Sequence, residues 1–228
     1  KLGSLISSGK DSVYAMHLMK EEGHEIVCLM TMKSENQHSY MFHTPTIEMV
    51  KLQSKSFNIP LIEHETKGEK EKELVDLIEI IKKAKNEFGI EGITTGALCS
   101  QYQKERIEKI CEDLSLECLS PLWGMDQEKE LRSIIDAGFK FIIVRVASLG
   151  LDESWLGKEI THDAVDELVK LNKKIGMNIA FEGGEAESLV IDGPIFNKKI
   201  EIMETEKIME NEHIGNLIIK KAELKNKT

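Results

Sequence analysis

The sequence is poor in cysteine, proline and aromatic residues, and it has no long apolar run. Its four cysteines contain no C-x-x-C pair, which argues against a zinc ribbon and against a dithiol redox motif. No apolar stretch approaches the ~18 residues that cross a bilayer, and no basic start followed by an apolar segment marks a signal peptide. These absences predict a cytoplasmic protein with no membrane partner.

Basic residues are outnumbered, with 30 lysines and arginines against 40 aspartates and glutamates and a formal net charge of −10. Proteins that bind nucleic acid along a surface usually carry the opposite excess, so no direct nucleic-acid partner is expected. The 228 residues are enough for one large domain or two small ones, and two units fit the pattern best.

The main clue to function is the polar turn Ser-Ser-Gly-Lys-Asp-Ser at residues 7–12, which follows an apolar run at residues 2–6 and opens a helix-like stretch. A helix start presents backbone N–H donors and the positive end of the helix dipole to an anion. Gly9 permits close backbone approach, Lys10 offsets phosphate charge, and Asp11 can hold Mg²⁺ or cap the helix. The pattern predicts a phosphate site, and the alternative is a serine-capped helix with an exposed lysine.

Strands and helices alternate along the first half of the chain, which predicts a parallel sheet with helices on both faces and ligands at the carboxyl ends of its strands. The pattern changes past Pro121, so we place a domain boundary near Gly124, with domains at residues 1–124 and 125–228. The predicted strands lie at residues 2–6, 26–32, 61–62, 92–95, 139–146, 188–191, 199–203 and 216–224. The predicted helices follow residue 10 and lie near residues 46–57, 74–88, 107–114, 131–137 and 164–175.

Two further polar clusters consist of residue types that can bind a ligand or take part in catalysis. Ser100, Gln103 and Arg106 are three residues apart, so one helix face can offer a hydroxyl, an amide and a guanidinium to a phosphate or ribose. The sequence Phe-Glu-Gly-Gly-Glu-Ala-Glu-Ser at residues 181–188 places paired glycines beside three carboxylates, which can hold Mg²⁺, orient ammonia or stabilise an ammonium. The alternatives are an ordinary solvated helix face and a glutamate-rich hairpin turn.

The histidines say less about the function than the polar clusters do. His17, His24 and His64 show no metal-ligand spacing and are expected to be structural. His43 follows the second predicted strand, where it either contacts a nucleotide or is a loop residue with no role.

The turn at residues 7–12 is not a Walker P-loop, because Asp11 stands where that motif needs a hydroxyl residue after its lysine. It resembles the SGGKDS loop of the adenine nucleotide α-hydrolase-like, N-type ATP pyrophosphatases, with Ser8 in place of the first glycine. Together with residues 32–36, 41–44 and 96–106 and the run EGGEAES-LVIDGPIF, it makes the chain similar to the archaeal diphthine–ammonia ligase family over nearly its whole length.

The resemblance implies a parallel-sheet, Rossmann-like ATP-binding domain of the HUP type and a smaller C-terminal α+β domain. It implies the last step of diphthamide synthesis, with ATP and Mg²⁺ as cofactors and with ammonia and diphthine-bearing elongation factor 2 as partners. In that reaction ATP adenylates the diphthine carboxylate, pyrophosphate leaves, and ammonia displaces AMP. Whether a second copy of the chain is also a partner stays open.

The resemblance also implies residue roles. The loop would hold pyrophosphate, with Lys10 and Asp11 catalytic and Asp11 the metal ligand, and Glu182, Glu185 and Glu187 would face the acceptor or ammonia. The residues expected near the nucleotide are Ser7, Ser8, Gly9, Lys10, Asp11, Ser12, Leu29, Met30, Met32, His43, Gly96, Ser100, Tyr102 and Arg106.

Other functions share the ATP loop. A ligase acting on another carboxylate, for example a cobalamin side chain, would differ only in its acceptor, which the second domain would decide. A non-catalytic nucleotide-binding module would have little need for Lys10 and Asp11 together with the EGGE turn, which is formed by residues 182–185. An RNA-thiolating enzyme is disfavoured by the acidic charge and by the lack of a cysteine pair.

Overall fold

The computed structural model describes residues 1–34, 49–66, 72–98 and 101–227, without the side chains of Ser34, Lys72, Gln101, Tyr102 and Gln103. The chain divides into two units. The first comprises Lys1–Ser7 and Asp11–Trp123, and the second comprises Ser8–Lys10 and Gly124–Thr228. The short stretch Ser8–Lys10 therefore packs with the C-terminal half of the chain.

The first unit is built on five strands, which are β1 (Leu2–Leu5), β2 (Ile26–Ser34), β3 (Leu61–Thr66), β4 (Gly92–Thr94) and β5 (Glu117–Leu119). All neighbouring pairs are parallel, in the order β3-β2-β1-β4-β5, which confirms the predicted parallel sheet. Strand order reverses at β1, which pairs with β2 on one side and with β4 on the other. Ligands of open α/β sheets bind at such a switch point, beyond the carboxyl ends of the strands.

The helices between these strands are α1 (Lys10–Glu21), α2 (Met49–Phe57), α3 (Lys72–Phe88) and α4 (Gln101–Asp113). The helix predicted near residues 74–88 is confirmed as α3, and its Leu77, Ile81 and Ala84 are fully buried in one cluster with Met30 of β2. No helix among the described residues is long and apolar enough to cross a membrane.

The second unit contains an antiparallel sheet in the order β7-β6-β9-β8. Its strands are β6 (Lys140–Ala147), β7 (Ala186–Asp192), β8 (Lys198–Asn211) and β9 (Ile214–Asn226), and its helices are α5 (Gln127–Asp136) and α6 (His162–Ile175). The start of α5 is fixed by Asp126, whose carboxylate accepts a hydrogen bond from the Lys129 N–H at 3.0 Å. The α6 helix ends at Gly176, which has the left-handed φ of 71° that favours glycine there.

Two cysteines pack as small apolar residues in the first unit. Cys28 and Cys111 are buried in its core, and burial raises the pKa of the Cys28 thiol to about 12. That thiol therefore stays protonated at neutral pH and is a poor nucleophile. Cys99 lies outside the described residues.

Candidate functional site

The polar turn at residues 7–12 lies where the sequence places it, between the end of β1 and the start of α1. The Ser7 N–H donates a hydrogen bond to the Ser12 hydroxyl at 3.2 Å, and the two hydroxyl oxygens are 3.3 Å apart. Ser12, in the first turn of α1, is thus tied back to Ser7, the first residue of the polar turn. Because β1 is the switch-point strand, the turn occupies the position that anions take in open α/β sheets.

Ser8 adopts a backbone conformation that favours glycine, with φ of 71°. The Cβ of an L-residue is crowded in this region, at a cost on the order of 1–3 kcal/mol that its surroundings must offset. Ser8 is fully buried, so the surroundings that fix it are protein groups. Ser8 therefore holds a conformation that glycine would adopt without strain.

Gly96 packs against the beginning of α1. A Cβ built on Gly96 would lie 2.5 Å from the Ser12 nitrogen and 2.6 Å from the Asp11 carbonyl carbon, which are backbone atoms that cannot rotate away. Only glycine lets the chain after β4 approach the polar turn this closely. The structure therefore brings Gly96 together with Asp11 and Ser12, three of the residues that the sequence predicts for the site.

Lys10 does not face solvent, so the alternative of a serine-capped helix with an exposed lysine is wrong about the lysine. Its side chain is 1% exposed, and its ammonium donates to both oxygens of the Glu130 carboxylate, at 3.0 and 3.2 Å. Glu130, in the first part of α5, is itself 0% exposed. Glu130 was not predicted, because it lies 120 residues away from Lys10 and nothing in the spacing along the chain indicates the pairing.

Residues on both sides of the EGGE turn contact the stretch Ser8–Lys10. The Lys10 N–H donates to the Ser188 hydroxyl at 3.1 Å, and the Val190 N–H donates to the Ser8 carbonyl at 3.0 Å. The ammonium of Lys10 lies 6.0 Å from the centre of the Phe181 ring. The second unit therefore places Lys10 beside β7 and beside the residue that precedes the turn.

The EGGE turn is held by its own backbone and by one of its carboxylates. Phe181 and Gly184 both have left-handed φ values, 67° and 81°, and the Gly184 N–H donates to the Phe181 carbonyl at 3.1 Å. The Gly183 N–H donates to the Glu185 carboxylate at 2.9 Å, while Glu182 is half-buried. The turn is therefore an ordered loop in which Glu185 has a backbone partner.

Glu187 has a partner in the neighbouring strand. It lies opposite Arg145 in the β6–β7 register, and the two charged groups are 3.8 Å apart with 17% and 21% of their side chains exposed. The Arg145 guanidinium also donates to the Asn216 side-chain oxygen at 3.5 Å, on β9. Glu187 therefore takes part in a cross-strand polar network.

Three of the residues expected near the nucleotide lie on β2. Leu29, Met30 and Met32 are almost completely buried, and Met30 and Met32 belong to the core beneath α3. Arg106 is half-buried on α4. Ser100, His43 and the side chain of Tyr102 lie outside the described residues, so their expected contacts stay predictions.

One group of possible metal ligands occurs in the described ranges, and it does not include Asp11. The ligand atoms of His64, Asp76 and Glu79 all lie within 4.8 Å of one another, on β3 and α3. The His64 Nε2 is 3.7 Å from an Asp76 oxygen and 3.8 Å from a Glu79 oxygen. Asp11 is half-buried in the first turn of α1 and offers a single carboxylate, which suits Mg²⁺ only where phosphate oxygens and water complete the shell.

The parallel sheet with a polar turn at its switch point, followed by an antiparallel-sheet unit, defines a Rossmann-like α/β protein with a C-terminal α+β domain. Two family models match it. Residues 1–118 match the diphthamide synthase N-terminal domain, and residues 126–224 match the diphthamide synthase C-terminal domain. The chain belongs to the diphthamide synthase, or diphthine–ammonia ligase, family.

Curated relatives carry the same family name. The diphthine–ammonia ligase of Mus musculus is 36% identical over 228 residues, covering 92% of this chain and 85% of the relative. The diphthine–ammonia ligase of Homo sapiens is 35% identical over 229 residues, with the same two coverages of 92% and 85%. A solved structure described as a predicted subunit of tRNA methyltransferase from Methanocaldococcus jannaschii covers 85% of this chain and 97% of its own, at 13% identity and a TM-score of 0.43.

Proposed function

We propose that the chain is an ATP-dependent diphthine–ammonia ligase, which converts the carboxylate of diphthine into an amide. The observation that carries this proposal is the polar turn at the switch point of a parallel sheet, in a chain whose two units both match diphthamide synthase domains. The acceptor is the diphthine residue of translation elongation factor 2, and the reaction takes place in the cytoplasm.

The reaction has two steps. A carboxylate is a poor acceptor for ammonia because its oxygen does not leave, so the carboxylate oxygen first attacks the α-phosphorus of ATP and pyrophosphate departs. Ammonia then attacks the acyl carbon, the carbon–oxygen bond to AMP breaks, and a proton leaves the nitrogen. The net products are the amide, AMP and pyrophosphate.

The residues of the polar turn would bind the departing pyrophosphate. Ser7 and Ser12 supply hydroxyls beside the start of α1, where the helix dipole favours negative charge. Asp11 would hold Mg²⁺ together with phosphate oxygens, and the ion would neutralise charge on them. Gly96 allows the chain after β4 to lie against this turn without displacing it.

The carboxylates of the EGGE turn would act on the second substrate. Glu182 and Glu185 would orient ammonia or stabilise the positive charge that develops on its nitrogen. Glu187, which lies beside Arg145, would add negative charge near the same nitrogen.

The test is a reconstituted amidation reaction. Elongation factor 2 carrying diphthine is incubated with the chain, ATP, Mg²⁺ and ammonium, and the modified histidine is analysed by mass spectrometry. The expected loss is about one dalton, because an amino group replaces a hydroxyl in the adenylate-activated transfer, with AMP and pyrophosphate formed in equal amounts. AMP release on a different small carboxylate without amidation of diphthine would identify a ligase with another acceptor, and no AMP with any acceptor would indicate a nucleotide-binding module.

A further inference from the structure

The ion pair formed by Lys10 and Glu130 is almost completely desolvated. Lys10 is 1% exposed and Glu130 is 0% exposed, and both carboxylate oxygens accept from the ammonium, at 3.0 and 3.2 Å. Taking two charges out of water is costly, and an apolar pair of similar size is often as stable or more stable. The stability of the fold alone therefore does not require this pair to be charged.

The pair fixes the part of the polar turn that has the most constrained backbone. Ser8 has φ of 71° and is held through its carbonyl by the Val190 N–H, and Lys10 is held through its N–H by Ser188. Glu130 adds a third attachment through the Lys10 side chain, from α5. The conformation of residues 8–10 thus depends on α5 and β7 together.

We propose that Glu130 is a positioning residue for nucleotide binding, which holds the Lys10 side chain and thereby sets the path of residues 8–10 in the phosphate turn. The inference rests on the proposed function, because it assigns the turn to phosphate. Glu130 acts through Lys10 and does not touch the nucleotide. Without its carboxylate, the Lys10 ammonium loses its two short contacts with Glu130, and the strained conformation at Ser8 loses one of its attachments.

The experiment compares two variants of the full chain, each with a single substitution in α5. Glu130→Gln keeps the size of the side chain and removes its charge. We expect the KM for ATP to rise at least roughly tenfold, with kcat at saturating ATP changing less than KM, because a displaced turn weakens ground-state binding. Glu128→Gln is the matched control, since Glu128 is 44% exposed and pairs with Arg132, and it should leave both constants unchanged.

The result that overturns the proposal is an unchanged KM for ATP in a Glu130→Gln variant whose circular dichroism matches that of the unmodified chain. If Glu130→Gln does not fold, Glu130→Asp keeps the charge and shortens the side chain by one methylene, which draws the carboxylate away from the Lys10 ammonium. Folded Glu130→Asp is expected to bind ATP at least roughly tenfold more weakly in calorimetry. Unchanged affinity in Glu130→Asp, or its failure to fold, would overturn the proposal.

Failure of the proposed function gives a different result. If the unmodified chain binds no ATP in the same calorimetric experiment, the phosphate assignment of the turn is wrong, and the role of Glu130 falls with it. If the unmodified chain binds ATP and the folded variants bind it equally well, only the role of Glu130 is wrong.

Discussion

Gly96 and Ser12 approach so closely that a single added carbon on Gly96 would lie 2.5 Å from the Ser12 nitrogen. The contact joins the end of β4 to the first turn of α1, on the two sides of the switch point. Nothing in the local sequence around Gly96 shows this, because glycine also ends strands and opens turns throughout proteins. The close approach gives Gly96 a structural requirement that can be tested apart from any nucleotide.

Gly96→Ala is expected to lower the free energy of unfolding by roughly 1–3 kcal/mol, because the new methyl group must displace backbone atoms of α1. The displacement should also reduce the rise in melting temperature that ATP with Mg²⁺ produces in a chain that binds it. Urea unfolding and thermal melts measure both effects. Gly183→Ala is the control, because the atoms nearest to its Cβ belong to the flexible carboxylate of Glu185, and a Gly96→Ala variant as stable as this control would contradict the prediction.

Ser8 offers a second test of the turn, through its φ of 71°. Ser8→Gly should fold and bind ATP like the unmodified chain, because glycine adopts this conformation without strain. Ser8→Val should lose roughly 2 kcal/mol or more of stability and most of its ATP affinity, because a β-branched residue is strongly disfavoured at positive φ. Circular dichroism and calorimetry on the two variants decide the point, and equal behaviour of glycine and valine would show that the backbone at this position is not constrained.

The fold of the first unit was predictable because its signals are local. The apolar residues of α3 recur every three or four positions, and the polar turn follows directly on a buried strand. β5 was missed because Glu117–Leu119 is only three residues long and none of its residues is fully buried, unlike the equally short β4. β8 was predicted too short, at residues 199–203, because the remaining part to Asn211 is exposed and mostly polar, so it lacks the apolar alternation that marks a half-buried strand.

The candidate site was predictable only in part, because its contacts join distant parts of the chain. The residue types of the polar turn indicated phosphate, and the turn lies where the sequence placed it. The burial of Lys10 was not predictable, since it depends on Glu130, Phe181 and Ser188, which are more than a hundred residues away. The grouping of His64 with Asp76 and Glu79 was not predictable either, because it depends on how β3 and α3 pack against each other.

The link between α5 and α6 predicts a pH effect. Arg132 hydrogen-bonds Asp166 at 2.6 Å, and this hydrogen bond lowers the pKa of the Asp166 carboxyl below its ordinary value of 3.8. A carboxyl whose pKa is lower in the folded state stabilises the fold above its unfolded pKa, and this contribution disappears as pH falls through the folded pKa. Arg132→Gln should therefore move the pKa of Asp166 back toward 3.8. Carbon-detected NMR titration of the Asp166 carboxyl measures its pKa. An unchanged pKa in Arg132→Gln would show that Arg132 does not lower the pKa of Asp166.

The carboxylates of the EGGE turn predict a separation between nucleotide binding and amidation. Glu182→Gln and Glu185→Gln keep the shape of each side chain and remove its charge, so both variants should bind ATP like the unmodified chain. Amidation of diphthine should slow by roughly a hundredfold or more if these carboxylates stabilise the charge that develops on ammonia. Single-turnover amidation and ATP calorimetry on the same samples measure the two effects. Glu206→Gln is the control, because Glu206 pairs with Lys220 on the half-exposed surface of the β8–β9 hairpin. An equal loss of ATP affinity in Glu182→Gln and Glu185→Gln would instead assign the turn to the nucleotide and its metal, and the acceptor would have to be bound elsewhere.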